Sequence, residues 1–323
     1  QVHEGRAGDP AVIGIDVGGA NLKLVEEKKV VIRYCPLWEE APLADHLRTF
    51  RKAHPDPDAA VVMSGELADC FATRLEGIRC IVESVKEAYP GAVFYGTDGT
   101  FHREPVMELA AANWLAAADL LRTRYPKAVF VDIGSTTTDI IPLSDFSALL
   151  GLTDLRRLQL GYLIYTGLLR TPIATQLPSV RLEGVETPTC AEHFAVAADA
   201  HLVLGHINPR AYSCDTPDGK EKNAGAALRR LARVVCSDLD EIGPEGAMEV
   251  ARQFWEAQLD RVRLAADRVA RESGCNRMVV AGIGSSLFAR ELGGWDLARD
   301  MGAVSDALPA YAVKEVALRT AGS

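Results

Sequence analysis

The sequence predicts an α/β fold built from two copies of one half-fold, and three observations predict it. An apolar run ending in Asp-x-Gly occurs twice, at 12–18 and at 129–134, over a hundred residues apart. Each is followed by a short turn and a second apolar run, as in a β-hairpin. Strand-like and helix-like periodicities then alternate along the chain, the pattern of α/β proteins. One Asp-x-Gly hairpin occurs in many ordinary turns; two, each between apolar strands, point to duplication with a cleft between the halves.

The elements follow in order. The stretch 12–25 reads VIGIDVGGANLKLV and predicts strands over 12–17 and 21–26, with a third at 30–34 before Pro36. Leu43, Leu47 and Phe50 have helical spacing over 43–54, ahead of Pro55. A short buried strand is expected at 59–63. Ser64-Gly65-Glu66 reads as a turn leading into a helix, with Ser64 and Glu66 in a capping arrangement. The segment 81–89 is amphipathic and 92–95 a strand; 105–125, rich in Ala and Leu, predicts one long core helix around Trp114.

The second half opens on 129–143, VFVDIGSTTTDIIPL. Residues 154–189 carry Pro172, Pro178 and Pro188 and read as irregular, with short β-like runs such as 180–182. Helices are expected at 190–204, 224–239 and 245–273, around a polar loop at 208–221. A strand at 277–281 leads through Gly282-Ile283-Gly284-Ser285-Ser286 to a helix from Leu287, and 310–319 closes the chain. The expected organisation is a disordered lead or expression remnant at 1–10, a first domain at 11–126, a second at 127–304, and a C-terminal helix at 305–323 packing back on the first.

Composition sets bounds. With 323 residues, 48% hydrophobic and 24% charged, the chain suits two soluble globular domains. A net charge of −9 argues against a broad nucleic-acid surface. No run is long and apolar enough to span a bilayer, and no apolar secretory segment is visible at the start. Seven scattered cysteines without a CxxC pair read as reduced thiols, hence a cytoplasmic protein.

The hairpins carry the candidate chemistry. Successive backbone N–H groups in a tight turn form a concave anion site. Gly18, Gly19 and Gly134 are expected as backbone phosphate contacts, Gly134 where the chain takes positive φ or approaches a ligand closely. Asn21, Ser135, Thr136 and Thr137 offer side-chain hydrogen bonds, although alternation on a strand sends only some of the Thr136–Thr138 hydroxyls to a cleft. Asp16 and Asp132, at strand ends, suit a Mg²⁺ beside a phosphate, or cap their turns. Asp139 reads as a base, a metal contact, or an ion-pair partner. Lys23 reads as a point charge on a phosphate or as an exposed edge lysine. Arg170 suits a diphosphate or a carboxylate, or a surface ion pair, with Thr171 beside it. Cys190, His193, Asp199 and His201 lack the spacing of a known metal site and do not share one helix face.

DVGGAN, DIGSTTTD and AGIGSS, in that order, resemble the phosphate-1, phosphate-2 and adenosine loops of the actin-like ATPase superfamily. The resemblance implies duplicated actin-like (ribonuclease H-like) domains around a central phosphate-binding cleft, with Gly282, Gly284 and Ser285 in the third loop. DIGSTTTDI is similar to the hydantoinase/oxoprolinase branch. Together with VVMSGELADCF, YTGLLRTPIA and CDTPDGK, the motifs resemble a small family first labelled as tetrahydromethanopterin-linked one-carbon transfer proteins, whose archaeal members are the condensing enzymes of methanofuran biosynthesis. This implies a transferase that joins an aminomethylfuran methyl diphosphate to the phenol oxygen of γ-glutamyltyramine, or an analogue, and releases diphosphate. The implied catalytic residues are Asp16, Asp132 and Asp139. The implied cofactor is Mg²⁺; ATP is allowed but not required, because Ala20-Asn21 replaces the usual hydroxyl and the third loop has few glycines. A small-molecule ester and a phenolic acceptor are the implied partners, with a homo-oligomer open. An ATP-dependent kinase or hydantoinase-type amide hydrolase is the alternative, and a non-catalytic nucleotide-binding protein the third.

Overall fold

The structure, a computed structural model, describes residues 12–39, 42–53 and 58–322. The expected lead at 1–10 lies outside the described residues. The chain forms two compact units: 1–126 with 143–157 and 301–323, and 127–142 with 158–300.

The first unit holds strands β1 (Val12–Val17), β2 (Asn21–Glu26), β3 (Lys29–Tyr34), β4 (Asp58–Met63), β5 (Val93–Tyr95) and β6 (Phe101–His102). They line up as β3-β2-β1-β4-β5-β6. β2 pairs antiparallel with β1 and with β3, while β4 runs parallel to β1 and β5 parallel to β4. β1 and β4 read as continuous apolar runs because they lie in the middle of the sheet, buried on both faces. Helix Leu308–Ala321 packs on β1, and Gly14 permits it: a Cβ there would stand 1.8 Å from Ala310 O.

The second unit holds β7 (Ala128–Ile133), β8 (Thr138–Pro142), β9 (Leu163–Ile164), β10 (Ser179–Leu182), β11 (Val185–Pro188), β12 (Arg277–Ala281) and β13 (Trp295–Asp296). Its main sheet has the order β13-β12-β7-β8-β9. β7, β8 and β9 pair antiparallel, and β12 and β13 add in parallel. Numbered within each unit, both sheets therefore read 3-2-1-4-5 with the same pattern of directions. This is a duplicated ribonuclease H-like half-fold, as the twin hairpins predict. β10 and β11 form a separate hairpin whose turn residues, Glu183 and Gly184, both have positive φ. Helix Gly243–Ser273 lays Val250, Phe254, Val262 and Val269 into the second unit's core.

Three expectations change. The long helix at 105–125 is a short 3-10 turn, a break, and then helix Asn113–Leu121. Ala111 sits at φ 48°, a left-handed backbone that a continuous helix does not accommodate. Ala and Leu propensity does not override that break. Ser64 and Glu66 cap nothing. Thr73 caps helix Arg74–Ala88 by accepting from Glu76 N at 3.2 Å, while Glu66 is interior, its pKa raised by burial. The helix expected at 190–204 is only Ala197–Val203, because residues before it form a bridge between Pro172 and Val196.

Candidate functional site

In the first hairpin the Gly18 N–H donates to Asn21 O at 3.0 Å and closes the turn. Gly19 O accepts from Leu37 N and Ala20 O from Cys35 N, both at 2.9 Å. A trans peptide holds C=O and the following N–H on opposite sides. Tying down Gly19 O therefore turns the Ala20 N–H to the opposite side of that peptide. A Cβ at Gly19 would meet no atom within 4 Å, so the fold itself does not require glycine there. Ser64 and Gly65 buttress the turn from behind: both N–H groups donate to Val17 O, and a Cβ on Gly65 would stand 3.0 Å from Gly18 O.

Asp16 ends β1 and is buried at 3% exposure. It lies opposite Lys23 in the β1–β2 register, with Lys23 Nζ 4.0 Å from Oδ2. Since β3 flanks β2, Lys23 is no edge lysine; it faces a carboxylate. Asn21 starts β2, half-buried.

The second hairpin repeats this geometry. Gly134 N–H donates to Thr137 O at 3.0 Å. Gly134 O accepts from Leu168 N, and Ser135 O from Leu169 N and Arg170 N, at 2.9–3.0 Å. The Ser135 and Thr136 N–H groups are thereby turned to the opposite side. Gly134 does not take the positive φ expected of it; a Cβ would instead crowd Thr137 O at 3.1 Å. Gly167 is the glycine the geometry demands, because a Cβ there would lie 2.6 Å from Thr136 N. Thr171 Oγ1 accepts from the Gly167 N–H at 2.8 Å and fixes that approach. Of the threonines, Thr138 is fully buried and donates to Thr166 O at 2.7 Å, a structural role; Thr136 and Thr137 stay half-buried on the loop.

Behind this hairpin runs a buried polar chain. Gln258 Nε2 donates to Thr166 Oγ1 and Gly167 O, so its Oε1 accepts from His201 Nε2 at 2.9 Å. His201 Nδ1 is then the acceptor from His206 Nδ1 at 3.0 Å. Burial, with the His206 charge beside it, lowers the His201 pKa to about 3, so the ring is neutral. Asp199, which sequence reads as an ordinary helix residue rather than a metal ligand, pairs with Arg230 in the interior at 2.7 Å.

Asp132 and Asp139 are cross-strand partners in the β7–β8 register, so both carboxylates project from one face. Like charges directly opposite destabilise a sheet, and a cation between them would offset that. Gly282, at φ 84°, gives room for this carboxylate: a Cβ would stand 2.3 Å from Asp132 Oδ1. Gly284 N donates to Ile133 O and Ser285 N to Gly282 O, and Ser285 is buried. These two N–H groups thus serve the packing of the third loop against β7. Among the described residues no group of three or more His, Cys, Asp or Glu is arranged to hold a metal ion. A two-carboxylate set suits Mg²⁺, which completes its octahedron with water and phosphate oxygens; it does not suit zinc.

A pocket of about 340 Å³ opens beside Thr136. Tyr165, Arg170, Thr171, Gln176 and Arg261 line it with Thr136. Arg170 comes from the motif that clamps the turn; Arg261 comes from helix Gly243–Ser273 and was not singled out by sequence, where it is one of several surface-type arginines on an amphipathic helix.

Fold and hairpins together define an α/β protein of the duplicated ribonuclease H-like class, with matching hairpin turns at equivalent places in its two units. The hydantoinase/oxoprolinase family profile matches residues 58–305, and the chain belongs to that family. It is 34% identical over 290 residues to the (4-{4-[2-(γ-L-glutamylamino)ethyl]phenoxymethyl}furan-2-yl)methanamine synthase of Methanocaldococcus jannaschii, covering 86% of this chain and 87% of that one. The synthase of the same name from Methanococcus vannielii is 36% identical over 160 residues, half of this chain and 72% of that one. Among solved structures, nucleotide-free acetone carboxylase superposes with a TM-score of 0.51 at 9% identity, over 95% of this chain and 70% of that one, a likeness of fold. Among the described residues no helix is long and apolar enough to cross a membrane.

Proposed function

We propose that this protein forms the aryl ether of a methanofuran-type cofactor precursor. The phenol oxygen of γ-glutamyltyramine, or an analogue, attacks the methylene carbon of an aminomethylfuran methyl diphosphate. The new C–O bond forms as the carbon–oxygen bond to diphosphate breaks. The leaving oxygen takes the electron pair, and the phenol proton departs to a base. The observation that carries this reading is the 34% identity across nearly the full length of a synthase whose name describes that ether.

The hairpin geometry supports it. Charge develops on phosphoryl oxygens as diphosphate leaves, and fixed donors aimed there contribute about 3–4 kcal/mol each. The Ser135 and Thr136 N–H groups would supply such donors in the second unit; the first unit's hairpin carries a set of its own in the Ala20 N–H and the Lys23 ammonium. Asp132 and Asp139 would hold Mg²⁺, which would neutralise charge on the departing diphosphate; Asp16 is the corresponding carboxylate of the other hairpin. The electron-rich furan ring eases the loss of the leaving group.

The test is direct. The protein, Mg²⁺, the diphosphate ester and γ-glutamyltyramine should yield one diphosphate per ether formed, measured by phosphate assay after pyrophosphatase and by mass spectrometry. Ether formation that needs ATP, or ATP hydrolysis without ether, would replace this reading with an ATP-dependent kinase or amide hydrolase.

A further inference from the structure

The pocket beside Thr136 draws two arginines into its wall. Arg170 and Arg261 both line it, and no Asp or Glu does. Its two cations come from different elements. Arg170 is fixed at the backbone, where its N–H donates to Ser135 O at 2.9 Å. Arg261 stands on helix Gly243–Ser273 and is oriented by donating from Nη1 to Gln176 Oε1 at 2.9 Å. Gln176 is in turn tied to Thr175 through Nε2. Tyr165 contributes a ring that is 60% exposed, a large surface left uncovered at the pocket wall. Planar guanidinium groups match a carboxylate in two-point contact, and an exposed tyrosine offers a flat apolar face with a polar tip. A volume of about 340 Å³ is at the low end for a small-molecule site and holds part of such a ligand.

We infer that this pocket seats the α-amino-acid end of the acceptor, its α-carboxylate on Arg261 and Arg170 and its linker against Tyr165. The inference rests on the proposed function and deepens it. γ-Glutamyltyramine is neutral at the phenol and carries its carboxylate at the far end. An anchor for that carboxylate beside Thr136 places the acceptor next to the turn whose N–H groups receive a phosphoryl group. It also assigns Arg261 as a specificity-determining residue.

The experiment compares wild type with Arg261→Gln and Arg261→Lys, using γ-glutamyltyramine and tyramine as alternative acceptors. Arg261 is exposed on a helix surface, so both variants are expected to keep the wild-type melting temperature. With γ-glutamyltyramine, Arg261→Gln should raise the acceptor KM about 10- to 100-fold, the range for a lost charge-assisted contact, with kcat little changed. Arg261→Lys should recover part of that loss. With tyramine, which lacks the carboxylate, wild type and variant should agree within about twofold, and the KM for the diphosphate ester should not move. A rise in the ester KM instead would show that the pocket holds diphosphate and overturn the inference. So would an equal effect on both acceptors. Calorimetric binding of γ-glutamyltyramine to the unliganded protein separates the two readings. Binding that Arg261→Gln weakens at least tenfold sustains the pocket even where no ether forms. Absence of binding to wild type, alongside ether formation insensitive to Arg261, overturns the pocket and leaves the reaction standing.

Discussion

The two hairpins have one backbone and different charges. Asp16 and Asp132 end equivalent strands, Gly18 and Gly134 close equivalent turns, and Lys23 and Asp139 stand at equivalent cross-strand positions. In the first unit the carboxylate faces an ammonium; in the second it faces another carboxylate. The first hairpin sets a carboxylate beside an ammonium; the second gathers negative charge across one strand pair, where a bound cation would be favoured. The backbone of the turn is thus repeated, and what differs is the residue in the partner strand; in the proposed reaction that difference would divide the work between a protein charge and Mg²⁺.

The strongest challenge to that division is Asp132→Asn. It should lower kcat/KM by about 100- to 1000-fold and raise the Mg²⁺ concentration for half-maximal rate, whereas Lys23→Met should leave the Mg²⁺ requirement in place. Equal Mg²⁺ dependence of both variants would erase the distinction. Next in size are the glycines. Gly167→Ala drives a Cβ into the Ser135–Thr136 peptide and should cost about 3 kcal/mol in denaturant titration. Gly19→Ala enters open space and should change stability by less than about 0.5 kcal/mol while weakening inorganic diphosphate binding, read by calorimetry.

Acid distinguishes the units further. His201 supports the second hairpin through Gln258, and burial holds its pKa at about 3, below the ordinary 6.5. The unfolded chain binds the proton that the folded one refuses. Stability from this group is therefore full above pH 6.5 and lost as pH falls toward 3. At pH 5 the loss is about 2 kcal/mol, and hydrogen exchange should show it in the second unit. His206 packs against the same ring, and burial lowers its pKa too, adding in the same direction. His201→Gln should flatten the dependence. The smallest effect is read with metal. Asp139→Asn should shrink the rise in melting temperature that Mg²⁺ gives the wild type; a thermal melt with and without Mg²⁺ checks it.

Much of this was legible in sequence. Apolar runs ending in Asp-x-Gly located β1, β2, β7 and β8, because strand periodicity and turn glycines are local properties. The helical face of 245–273 was equally plain. The break at Ala111 was not, since propensity reads alanine as a helix former and the left-handed backbone there is not written in the residue type. Nor did sequence single out Gly167 within YTGLLRTPIA; only the close approach of its Cα to the Ser135–Thr136 peptide does.

Sequence alone thus determined the duplicated α/β class, the two turns and their acidic strand ends, for these depend on residues close along the chain. Tertiary structure decided which backbone groups remain available, by tying the turn carbonyls to residues 35–37 and 168–170. It also decided cross-strand register, which sets Lys23 against Asp16 and Asp139 against Asp132, and it brought Arg261 to Arg170. The reason is that charge pairing and hydrogen-bond satisfaction are set by distance in space, which composition and periodicity do not encode.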